Sequence, residues 1–204
     1  MDCINNLLEQ LEEFAVQWHV PVISRAGGRL LTEAVRKWQP QSILEIGTAI
    51  GYSTLRMAAE MPVGARIVSI ELDRERVDIA KDFVAKAGML EQIEILCGDA
   101  GEILPRLTGP FDMVFIDAAK GQYLDYLHKV MGKLSQGAVV MADNVLFRGL
   151  VTSGDEPPRR YRTLVRRLRQ YLEFVTNDPR FSTTVHHDGD GLSISIFQGS
   201  EELC

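Results

Sequence analysis

Two runs of the chain end in oxygen donors of the kind that hold a hard cation. Asp117 closes Phe111-Asp112-Met113-Val114-Phe115-Ile116-Asp117, and the pair Asp143-Asn144 closes Val139-Val140-Met141-Ala142-Asp143-Asn144. Each run reads as an apolar strand. If the two strands are neighbours, two carboxylates and an amide oxygen converge, a set that suits a divalent cation keeping several waters, magnesium first. Taken singly, each Asp has a plainer reading as the cap of the next turn. Histidine offers no rival site: His186 and His187 are adjacent on one strand and point to opposite faces, and His19 and His128 have no companions. Lys120, three residues after Asp117, can reach the rim of the same pocket. A divalent cation nearby disfavours its ammonium form and brings it toward use as a general base; the alternative is an exposed lysine before a helix. Lys120 and Asp117 are thus the expected catalytic groups.

A second chemistry lies in Ser42-Ile43-Leu44-Glu45-Ile46-Gly47-Thr48-Ala49-Ile50-Gly51-Tyr52-Ser53, where an apolar strand gives way to a glycine turn and then a helix. Gly47 and Gly51 let backbone pass close to a ligand, and a helix starting near Tyr52 or Ser53 offers unpaired N–H groups. The dinucleotide fingerprint G-x-G-x-x-G is not met, because the spacing here is G-x-x-x-G. Glu45, two residues ahead of the first glycine, suits a cationic ligand better than a pyrophosphate. Glu71 ends the next strand, twenty-four residues after Gly47, where a carboxylate can accept both hydroxyls of a ribose. Asp99, in Cys97-Gly98-Asp99-Ala100, follows along the same edge and can accept from an adenine amino group. It can equally be a helix N-cap, with Glu102 completing a capping box. An NAD-binding oxidoreductase or a non-catalytic nucleotide-binding module therefore stays open at this point.

These residues need a frame. Strands are expected at 42–46, 65–71, 92–97, 111–117 and 137–143, alternating with helices at 52–61, 74–88, about 100–107 and 121–134. Such alternation implies a parallel sheet covered on both faces, with ligands at the carboxyl ends of its strands. A loop over 144–158, a helix over 159–176 and an antiparallel hairpin, 181–187 with 192–198, finish the chain. Two amphipathic helices, 4–18 and one from Ser24 to before Pro40, precede the alternating core. They are expected to pack over it, covering the pocket or a subunit interface. With 204 residues, 46% hydrophobic and 25% charged, one domain is expected: a helical cap over 1–40 and a core over 42–204. The apolar runs are too short for a membrane span and the N-terminus lacks a signal peptide, so a cytoplasmic protein is expected. Cys3, Cys97 and Cys204 show no disulfide or zinc spacing and read as bystanders.

The combination Glu45-Ile46-Gly47-Thr48, Phe115-Ile116-Asp117-Ala118-Ala119-Lys120 and Ala142-Asp143-Asn144-Val145 resembles the metal-dependent class I S-adenosylmethionine O-methyltransferases of the caffeoyl-CoA and catechol type. The runs 43–53, 117–123, 143–151 and 189–192 look most like the bacterial branch that methylates tRNA 5-hydroxyuridine at wobble position 34. The resemblance implies a Rossmann-like α/β fold with a mostly parallel seven-stranded sheet and a C-terminal antiparallel hairpin. It implies Asp117, Asp143 and Asn144 as ligands of magnesium or another divalent cation. It places Ile23, Glu45, Gly47, Ser53, Glu71, Asp99, Ala100 and Asp117 at the S-adenosylmethionine site, and it implies a homodimer. The acceptor follows as a tRNA anticodon stem-loop or, alternatively, a small catechol-like molecule. A formal charge of -6 speaks against nucleic acid, yet residues 145–180 hold eight arginines against four acids. Arg148, Arg159 and Arg160 are the candidate phosphate contacts, with Phe147 and Tyr123 available to stack a base.

Overall fold

Every apolar run expected as a strand joins one sheet. The structure, a computed structural model, describes residues 2–199, with side chains from residue 4 onward. Cys97 is an exposed free thiol, while Cys204 and the side chain of Cys3 lie outside the described residues. Strands β1 (Ser42–Ile46), β2 (Arg66–Glu71), β3 (Ile93–Cys97), β4 (Phe111–Ile116) and β5 (Leu134–Asp143) pair in parallel. β6 (Phe181–His186) and β7 (Leu192–Phe197) form the closing hairpin, and β7 pairs antiparallel with β5. The order is β3-β2-β1-β4-β5-β7-β6. β1 is thus followed by β2 on one side and faces β4 on the other, and at such a reversal the flanking loops part and leave a crevice.

Alternate strand residues feed two cores. On one face Ile43, Ile67, Met113, Phe115 and Met141 meet α1 (Asp2–Trp18), α2 (Arg25–Trp38), α3 (Tyr52–Ala58) and α4 (Arg74–Lys86). On the other, Leu44, Ile46, Val114, Ile116 and Val140 meet α5 (Ala100–Ile103), α6 (Tyr123–Met131) and α7 (Arg162–Asn177). These strand side chains are almost wholly removed from water, each contributing about 1.5–3 kcal/mol, which fixes the register and hence the height of every strand end. The two opening helices belong to the first core through Leu7, Leu11, Ala15, Leu31, Ala34 and Val35. Ser24 caps α2, its hydroxyl accepting from Gly27 N–H at 3.1 Å.

Three boundaries differ from expectation. The helix after the glycine turn stops at Ala58, ahead of Pro62. β5 begins at Leu134, which pairs with Phe111 before a register shift, so α6 ends at Met131. A 3-10 turn over Arg159–Tyr161 precedes α7. Among the described residues no helix is long and apolar enough to cross a membrane.

Candidate active site

The glycine turn is built by close approach. Gly47 has φ 105, and a Cβ there would stand 2.2 Å from the carbonyl oxygen of Asp117, so only glycine lets β1 and β4 end side by side. The Asp117 N–H donates to Ile46 O at 2.8 Å, and Gly47 N–H donates to Ile70 O at 2.9 Å, which ties three strand ends together. Glu71 is held on both sides, accepting from Ala49 N–H at 2.8 Å and Asp73 N–H at 3.0 Å. Above these ends opens a cavity of about 350 Å³.

Of the residues expected at the cofactor, Ile23, Gly47, Ser53, Glu71, Asp99, Ala100 and Asp117 all line it. Asp99 also caps α5, its carboxylate accepting from Gly101 N–H at 2.6 Å, so both of its readings hold geometrically. Glu45 is the correction. It lies behind the cleft wall, fully buried, where the hydroxyls of Ser53, Thr54 and Ser69 each donate to it at 2.5 Å. Burial pushes its carboxyl up to about 7, and the three hydroxyls restrain the rise. Its work is therefore to fasten the start of α3 to β2, and Ser53 is the side chain that touches both Glu45 and the cavity. Sequence reasoning missed Arg76, Gln122 and Tyr126, which also line the cavity. Gln122 and Tyr126 come one helical turn apart from the start of α6, a spacing that was available as a signal.

The residues expected to hold a cation come together as the strand order requires. Ile116 pairs with Ala142 across β4 and β5, which makes Asp117 and Asp143 the next residues on adjacent strands. Asp143 is 5% exposed and its carboxyl is pushed up to about 7, first by burial and then by the charge of Asp117, against an N–H from Asn144 and the charge of Lys120. Burial also raises Asp117, while Lys120, its Nζ 3.7 Å from Asp117 Oδ1, opposes that rise. Asn144 sits at φ 53, a conformation Asn tolerates, and lines the cavity with Lys120. Tyr123 supports the pair from beneath, its hydroxyl donating to Asp143 O at 3.0 Å, and is not free to stack a base. Among the described residues no three His, Cys, Asp or Glu side chains gather. A buried carboxylate whose charge is disfavoured by a partly buried neighbour, with an amide oxygen beside them, fits a hard divalent cation as counter-charge.

The arginines divide. Arg167 donates to Gly121 O, Arg169 to Leu150 O, Val151 O and Ser153 O, Arg162 pairs with Glu156, and Arg180 pairs with Asp178. Those four are engaged within the chain. Arg148 and Arg160 flank Tyr161, 5.7 Å and 4.5 Å from its ring centroid, Arg148 Nη1 also donating to the Tyr161 hydroxyl at 3.2 Å, and Phe147 meets that ring edge-on at 5.2 Å. Arg159 is exposed on the 3-10 turn beside them.

Comparison with known proteins bears on this geometry. The family model described as O-methyltransferase matches residues 2–196. The chain belongs to the O-methyltransferase family. A catechol O-methyltransferase of Niastella koreensis is 37% identical over 133 residues, 63% of this chain and 60% of that protein, so the match spans less than two thirds of the relative. Caffeoyl-CoA O-methyltransferase 2 of Petunia hybrida is 28% identical, covering 92% of this chain and 81% of its own. Among solved structures, the O-methyltransferase TomG of Streptomyces achromogenes, in complex with S-adenosylmethionine, superposes with a TM-score of 0.82 at 33% identity, over 95% of this chain and 90% of that one. An O-methyltransferase from Bacillus cereus, in complex with S-adenosylhomocysteine, gives 0.81 at 29% identity, over 94% and 90%. This O-methyltransferase is S-adenosylmethionine-dependent. The dinucleotide alternative falls with that assignment.

Proposed function

We propose that this O-methyltransferase transfers the methyl of S-adenosylmethionine to one hydroxyl of a small aromatic vicinal diol, catechol-like in its reacting part. The observation that carries the proposal is the pair of carboxylates at adjacent strand ends, Asp143 buried and Asp117 partly buried, beside Asn144 and Lys120. Asp117, Asp143 and Asn144 would hold the cation, which supplies Lewis acidity that lowers the pKa of a bound hydroxyl. Lys120, on the cavity wall and 3.7 Å from Asp117, is placed to take the hydroxyl proton at Nζ. Asp117 serves both the cation and the cofactor side, so it sets the distance between acceptor oxygen and methyl group, and alignment is most of what methyl displacement asks of a protein.

The acceptor side offers the edge-to-face pair Phe147 and Tyr161 as an aromatic wall, with Arg148 and Arg160 as a positive rim for an anionic tail. Support for a small acceptor over the tRNA wobble uridine comes from two sides. The relatives are named for catechol and caffeoyl-CoA, and half of the arginines that suggested a phosphate track are engaged internally. A homodimer draws support from α1, where Val16 and Trp18 are exposed, and light scattering would report it as a doubled mass.

The test is a methyl-transfer assay with S-adenosylmethionine and magnesium, offering catechol, caffeoyl-CoA and an anticodon stem-loop bearing 5-hydroxyuridine. Turnover on a diol, lost with a chelator, is expected. Activity confined to the stem-loop would restore the tRNA reading, and turnover indifferent to the chelator would remove the cation from the mechanism.

A further inference from the structure

The loop that follows Asn144 is conformationally costly. Phe147 and Arg148 have φ 38 and 57, in the left-handed region that non-glycine residues avoid, and Asn144 just before them has φ 53. Such a run of backbone persists only where its surroundings over-determine it. Its first half is held by the β6–β7 turn: Val145 N–H donates to Gly191 O at 3.1 Å, Leu146 N–H to Asp190 O at 2.8 Å, and Arg148 N–H to the Asp190 carboxylate at 3.0 Å. The second half, 149–153, has a different anchor. Apart from the turn bond from Asp155 N–H to Ser153 Oγ at 3.0 Å, its hydrogen bonds from outside the loop come, among the described residues, from one side chain, Arg169 of α7.

Arg169 spends its guanidinium on three carbonyls: Nε donates to Val151 O at 2.9 Å, and Nη2 donates to Leu150 O at 3.1 Å and Ser153 O at 3.0 Å. No carboxylate pairs with it among the described residues. A planar fork that spans three backbone oxygens dictates the path of the chain between them, which a lysine's single nitrogen cannot do. Two residues earlier on α7, Arg167 reaches Gly121 O at 3.2 Å, so one helix braces both the 149–153 segment and the turn that carries Lys120.

We propose that Arg169 is a positioning residue that fixes the 149–153 half of the loop and thereby sets the affinity for the acceptor, while leaving the cofactor site untouched. The consequence for the acceptor rests on the diol reading given above. The clamp itself does not. Arg169→Ala and Arg169→Lys are compared with the unaltered enzyme by hydrogen exchange of peptides covering 145–153 and 42–58, by calorimetry with S-adenosylhomocysteine, and by kinetics with catechol and magnesium. Expected for Arg169→Ala are faster exchange in 145–153 only, a KM for catechol raised roughly tenfold with kcat changed far less, and cofactor affinity within about twofold. Arg169→Lys should recover little of this, and millimolar guanidinium added to Arg169→Ala should recover much of it. Unchanged exchange in 145–153 overturns the proposal, as does a KM that stays level or a cofactor affinity that falls in step with KM. An unaltered enzyme inactive on catechol would refute the diol reading and leave exchange, with its recovery by guanidinium, to decide the clamp.

Discussion

Replacing Glu45 by Gln tests the fastening of the cofactor wall, and its size can be worked out in advance. Glu45 is fully buried and takes three hydroxyl donors, and its carboxyl lies near 7 against an ordinary value of 4.5. A raised folded value means the folded state holds the proton more tightly, so the stability this group contributes is whole below the ordinary carboxylate range. It is lost as pH rises from about 4.5 through about 7, and is flat beyond. A displacement of that size corresponds to about 3 kcal/mol. Asp117 and Asp143 slope the same way in metal-free protein, so the informative quantity is the difference between the unaltered chain and Glu45→Gln. Glutamine keeps a carbonyl for two of the hydroxyls, and its amide can donate to the third. Urea unfolding of metal-free protein at a series of pH values is the assay. The unaltered chain should lose about 2.5 kcal/mol more than Glu45→Gln between pH 5 and pH 8, the remainder of the displacement being lost below pH 5. Parallel profiles would refute the reasoning, since they would mean that Glu45 folds already ionised and that burial does not govern it.

Further outcomes follow from the same strand ends. Gly47→Ala puts a Cβ 2.2 Å from Asp117 O at φ 105, and should cost about 2–4 kcal/mol of stability and weaken S-adenosylhomocysteine binding at least tenfold by calorimetry. A cofactor affinity within a factor of two would show that the turn yields without moving Asp117. Asp143→Ala removes a buried carboxylate, the proposed cation donor, that does not line the cavity. Methyl transfer should fall by at least about a hundredfold while S-adenosylhomocysteine still binds. Full turnover in that variant would detach Asp143 from the chemistry.

Much of the site is legible because strand ends are legible. Asp117 and Asp143 each follow an unbroken apolar run, and two such runs in one parallel sheet finish at the same edge. What they needed beyond sequence was adjacency, which β5 supplies by pairing with β4 on one side and β7 on the other. The arginines were legible only as charge. Eight arginines in a stretch look alike whether they face water or backbone carbonyls, and Arg169 differs from Arg166 only through the loop that α7 happens to face.

Glu45 is the more instructive case, because strand parity bears on it. In β1, Ile43 packs with the α1–α4 face and Leu44 and Ile46 pack with the α5–α7 face. Alternation puts Glu45 with Ile43, under α3, rather than at the strand end where ligands lie. A carboxylate there must find donors or be excluded from the core, and the next helix supplies Ser53 and Thr54 while the paired residue on β2 supplies Ser69. The acidic position in the E-x-G-T run therefore acts through hydroxyls on the helix and strand that shape the cleft, and of the two it is Ser53, not Glu45, that lines the cavity. Ser53→Ala should on that account weaken cofactor binding and also shift the pH profile of stability, because it removes one of the donors that hold the Glu45 carboxyl down. A variant that did the first without the second would place Ser53 at the cofactor alone and leave Glu45 with Thr54 and Ser69.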